Sequence, residues 1–106
     1  MITDEELQID GWEPRSCLIG TLYFRGGYFL HLKDGKASVY SDNDDMNPIG
    51  TADTLDDIKS LEMKYDLLVI SRILYNYKLA VECFKYKYGV DEVPIDVNLE
   101  LPWLKD

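Results

Sequence analysis

The chain has 106 residues, carries a net charge of −9 and is 46% apolar with 12% aromatic residues. That length suits one domain able to bury roughly two thirds of its unfolded surface. The composition excludes a disordered chain, and no apolar run approaches the ~20 residues of a membrane span.

The acidity is unevenly spread. Residues 1–15 carry −4, 16–41 carry +2, 42–57 carry −6, 58–88 carry +3 and 89–106 carry −4. Acidic ends and an acidic loop therefore surround a mildly basic centre, which disfavours nucleic acid as a partner and leaves a basic protein open. The N-terminal M-I-T-D-E-E-L lacks the basic and apolar regions of a signal peptide, so a cytoplasmic location is expected.

In chain order, Thr3 with Glu6 three residues later reads as a capping box that opens a short helix closed by Gly11, with Leu7 and Trp12 pointing to the core. Pro14 turns the chain, and the apolar and β-forming run from Ser16 to Phe24 predicts a strand. Gly26-Gly27 marks a hairpin, followed by a strand over Tyr28 to Lys33. Asp34-Gly35 is a type I′ turn signal, because both central residues must take φ > 0, and Lys36 to Ser41 makes the third strand. In the second strand Tyr28, Leu30 and Leu32 share one face, expected against a helix; Phe29, His31 and Lys33 share the other.

His31 is the sole imidazole, and no nucleophile or carboxylate stands at a telling spacing from it, so no catalytic residue is assigned. The loop S-D-N-D-D-M-N-P clusters oxygen ligands but fails the EF-hand pattern. Counted from Asn43, position 6 is Pro48 and position 12 is Thr54. Together with Asp53, Asp56 and Asp57, the loop's Asp42, Asp44 and Asp45 form a candidate acidic patch. Ile49 to Ala52 can add a short edge strand.

From Thr54, an N-cap with Asp57 behind it, to Gly89, a C-prime residue, no Pro or Gly intervenes. One long helix is expected. Its apolar residues fall on two faces: Met63, Leu67, Ile70, Leu74, Tyr77, Val81, Phe84 and Tyr88 on one, and Leu61, Tyr65, Leu68, Tyr75, Leu79, Cys83 and Tyr86 on the other. Tyr65-Asp66 is the place where such a helix could break. After Gly89, alternation from Val93 to Leu101 with Pro94 and Pro102 predicts an edge strand, anchored by Trp103 and Leu104.

Cys17 and Cys83 form no C-x-x-C pair and are expected as reduced, partly buried thiols. One histidine and two separated cysteines make no zinc site, so no metal, cofactor or small-molecule ligand is expected. The fold expected is α+β: a short N-terminal helix, an antiparallel meander of three or four strands, one long helix on the sheet and an extended C-terminal segment.

Function at this level is that of a small non-enzymatic interaction or accessory protein, of the kind phages and mobile elements encode. It is expected to form a homodimer through Leu68, Arg72, Tyr75, Leu79, Tyr86 and Trp103. The alternative is an acidic inhibitor that imitates nucleic-acid phosphates and blocks a basic groove on a partner.

Overall fold

A computed structural model describes residues 1–71 and 78–94. The fold is α+β, and the chain forms two compact units, Met1–Leu61 and Glu62–Asp106. The first unit begins with helix α1, Asp4–Ile9, and continues into five strands: β1 (Glu13–Cys17), β2 (Gly20–Arg25), β3 (Tyr28–Lys33), β4 (Lys36–Ser41) and β5 (Gly50–Ala52). They form one antiparallel sheet in the order β1-β2-β3-β4-β5. Helix α2, Leu55–Val69, starts in the first unit and ends in the second, where α3, Lys78–Tyr88, follows.

Local chemistry explains the first unit. The Thr3 hydroxyl accepts the Glu6 backbone N–H at 3.2 Å and caps α1, and Gly11 leaves the helix with φ 94°. Asp34 and Gly35 take φ 54° and 79°, as a type I′ turn requires. Gly35 has a second constraint: a Cβ there would lie 2.1 Å from Met1 Cγ, and the Ile2 N–H bonds the Gly35 carbonyl at 2.9 Å.

The expected strand from Ser16 to Phe24 is instead two strands with a turn at Leu18-Ile19 between them. Gly20, with φ 121°, supplies the backbone freedom for that reversal, and Leu18 and Ile19 stand exposed at its tip. Pro14 lies inside β1, where an edge strand tolerates a missing N–H. Five strands thus replace the expected three or four, and the short strand before the helix is present as β5.

Cross-strand register sorts the side chains into two faces. Tyr23, Leu30, Val39 and Gly50 are successive partners across β2 to β5, and on that side Tyr23, Tyr28, Leu30, Ala37, Val39 and Ala52 are buried. A Cβ on Gly50 would meet Leu61 Cδ2 at 2.8 Å, so the first turns of α2 lie close over this face at β5, and Ile58 is fully buried. This bears out the expected placement of the leucine side under a helix.

α1 is tied on by polar contacts. The Tyr23 hydroxyl donates to Asp4 Oδ1 at 2.5 Å, and Arg25 donates to the Asp10 carbonyl and carboxylate at 2.6 and 2.8 Å while its guanidinium lies 4.4 Å over the Trp12 ring. Burial, then the hydrogen bond to Asp4 and its charge, push the Tyr23 phenol up to about 12.

The second unit corrects the expectation of one continuous helix. Asp66 and Lys87 are 21 residues apart, which at 1.5 Å per residue is ~32 Å along a straight helix. Yet Lys87 Nζ lies 2.9 Å from Asp66 Oδ2 and 3.5 Å from Glu62 Oε2, and the Tyr88 hydroxyl donates to the same Asp66 carboxylate. The chain therefore reverses between α2 and α3. The break does not fall at Tyr65-Asp66, which α2 runs through. The expected C-terminal strand lies, beyond Pro94, outside the described residues.

Candidate interaction surfaces

The reversal separates the residues assigned to a self-association face. Leu68 is 2% exposed and belongs to the core, which removes it from any surface. Arg72, Tyr75 and Trp103 lie outside the described residues. Leu79 and Tyr86 remain, 61% and 92% exposed on α3, and Cys83 between them is exposed too. Spaced at i, i+4 and i+7, these three form one stripe along α3, while Phe84 carries its buried side. Both cysteines are thus exposed, contrary to the expected partial burial.

The opposite side of the hairpin is held by charge. The Glu62 side chain is only 4% exposed, and a carboxylate removed from water is costly unless a cation meets it. Lys87 supplies that cation and bridges Glu62 and Asp66 across the two helices. Glu62 and Asp66 share a face of α2 by their i, i+4 spacing, so one lysine reaches both.

Of the six candidate acidic residues, Asp44, Asp53 and Asp57 are engaged in local contacts. The Asp44 carboxylate accepts from the Asn47 side chain at 3.0 and 3.3 Å and from the Met46 and Asn47 backbone N–H groups at 3.1 and 3.2 Å. The Asn47 side-chain bond, aided by those two N–H groups, holds the Asp44 carboxyl below its ordinary value. Asp57 Oδ2 accepts the Asp53 N–H at 3.2 Å, and the Asp57 N–H bonds Thr54 Oγ1 at 3.1 Å, so this pair caps α2. Asp53 lies 3.7 Å from Lys36. Asp42, Asp45 and Asp56 are exposed. Among the described residues no group of three or more His, Cys, Asp or Glu side chains is placed to hold a metal ion.

The outer face of the sheet is a surface that sequence reasoning missed. Phe24, Phe29 and Tyr40 are direct cross-strand partners and all half-buried. Phe24 and Phe29 stack with centroids 5.6 Å apart at 28°, and Phe29 and Tyr40 at 4.9 Å and 4°. Arg15 closes one end, its guanidinium 4.7 Å from the Phe24 centroid. The next row is Arg15, Leu22, His31, Ser38 and Thr51. His31 thus has Leu22 and Ser38 as its cross-strand neighbours, and no carboxylate in its row. The alternation of Phe29 with Leu30 in β3 pointed to this face. What was missing was the register that lines three aromatic residues from three strands into one ladder.

Compared with family models, curated proteins and solved structures, the chain has no match. Among the described residues no helix is long and apolar enough to cross a membrane.

Proposed function

We propose that this chain is a small non-enzymatic interaction protein that self-associates through the exposed stripe of α3. The observation that carries this reading is the i, i+4, i+7 line of Leu79, Cys83 and Tyr86 on a helix whose other side already buries Phe84. Scattered exposed apolar residues are ordinary, but a leucine and a tyrosine aligned one above the other on one helix form the kind of seam that two helices close between them.

Charge supports the same site. Lys78, Glu82 and Lys85 flank the stripe, with Lys85 bonded to Glu82 at 3.3 Å, so two copies meeting here bring together a nearly neutral surface in spite of the −9 on each chain. In a two-fold pairing each Leu79 meets the Tyr86 side of its partner, and Cys83 lies near the axis.

Sedimentation equilibrium at micromolar concentration tests this. A mass near twice 12.3 kDa is expected for the native chain, falling to 12.3 kDa for Leu79→Asp with Tyr86→Asp. Both positions are exposed, so the variant should keep its fold, as its circular dichroism can verify. A native mass of 12.3 kDa at all concentrations overturns the reading.

A further inference from the structure

We infer that the outer face of the sheet is a second docking surface, and that it takes an acidic amphipathic segment of another protein. Three features of this face point to the same partner chemistry.

The first is the orientation of the rings. Parallel rings with centroids 4.9 Å apart cannot lie side by side in one plane, because their edges would collide; they stack face on face across the strands. The ladder of Phe24, Phe29 and Tyr40 therefore spends its ring faces internally and turns its edges outward. Ring faces are electron-rich and ring edges are electron-poor. The exposed edges favour carboxylate or carbonyl oxygens, and they offer no flat platform on which a nucleic-acid base could stack.

Charge segregation is the second. The first unit holds 12 acidic and 5 basic side chains. By alternation, Arg15, Lys33 and Lys36 share the outer face with the ladder, together with His31, and two acids border it: Glu13, bonded to Arg15 at 3.4 Å, and Asp53, 3.7 Å from Lys36. A face of +1 thus sits on a unit whose remaining side chains sum to −8. A long polyanion would be repelled by that rim, whereas a short acidic segment fits inside it.

Apolar area is the third. Leu22, Phe24, Phe29 and Tyr40 are half-buried, leaving part of each in water, on a face ~20 Å across, the width of five strands at ~4.8 Å spacing. An antiparallel sheet with one face in water normally turns polar side chains to that side. A partner helix or strand with an apolar stripe bordered by Asp or Glu would cover these rings and meet the cations around them.

The test uses the full chain and two fluorescein-labelled amphipathic peptides that share their leucines, one filled with glutamate and the other with lysine, read by anisotropy. The glutamate peptide is expected to bind, with affinity that falls as salt is raised and weakens at least tenfold for Arg15→Glu with Lys33→Glu. Lys59→Glu with Lys64→Glu, an equal charge change made on α2, should alter it by less than about twofold. In a Cys83→Ser chain, a dye on Cys17, which alternation places on the same face, should shift to the blue when the glutamate peptide binds. Phe29→Leu, with thermal melting as a check on folding, should weaken binding while leaving the charges in place. No binding by the glutamate peptide, equal binding of the lysine peptide, equal effects of the two charge-reversed variants, or preference for an oligothymidylate would each overturn the inference.

Discussion

The two units of this chain are held together in different ways. Met1–Leu61 rests on a sheet face of fully buried aliphatic residues, with turns and caps fixed by Gly20, Asp34-Gly35 and Thr3. In Glu62–Asp106 the two helices are joined at one end by a buried carboxylate, its neighbour one turn on, a lysine and a tyrosine. The first arrangement is robust to salt and pH near neutrality, because apolar burial does not titrate. The second depends on a cation being in the right place.

The sharpest way to probe that contrast is to remove apolar bulk from the first unit. Leu30→Ala empties a fully buried site in the central strand and should cost about 2–5 kcal/mol by urea denaturation. Next is the Tyr23 phenol, buried in the first unit's core and bonded to Asp4. Its folded value, about 12, lies above the unfolded value near 10, so its contribution is complete below pH 10 and is lost as pH climbs through about 12. Stability should fall by about 2–3 kcal/mol over that window, and Tyr23→Phe should flatten this part of the pH profile.

Lys87→Met addresses the second unit. It takes a cation away from Glu62 and Asp66, and because Lys87 is itself half-exposed the expected loss is about 1–3 kcal/mol, confined in hydrogen exchange to α2 and α3. Gly35→Ala should cost about 1 kcal/mol from the positive φ alone, and more if Met1 cannot move aside. The smallest effect belongs to Asp44. Its lowered carboxyl favours the closed loop above the ordinary range near 4, and the closure is lost as pH falls through its folded value; Asp44→Asn should remove that acid-side change in loop exchange rates.

The same contrast explains what the sequence made legible. Turns and caps are short-range: Asp34-Gly35 and Thr3-x-x-Glu6 each hold their instruction within four residues, and both formed as expected. The error at Ser16 to Phe24 was also short-range, since Leu18-Ile19 has strand-forming residues in a position governed by Gly20 beside it. The helical hairpin is another matter. From Thr54 to Tyr88 no Pro or Gly announces a reversal, and an apolar pattern with a period near 3.6 reads the same in one rod and in two shorter helices. What distinguishes them is a meeting of Glu62, Asp66, Lys87 and Tyr88 across more than 20 residues, which no local pattern encodes. The aromatic ladder was hidden for a related reason: Phe24, Phe29 and Tyr40 become neighbours only through cross-strand register.

Folding back of the helical segment decides which apolar residues are left for partners, and one distance tests it. Spin labels at Lys64→Cys and Lys85→Cys, in a chain with Cys17→Ser and Cys83→Ser and diluted with unlabelled protein, can be measured by double electron–electron resonance. The hairpin predicts a peak below about 25 Å, while a continuous helix would place these positions ~32 Å apart along its axis and contradict the account.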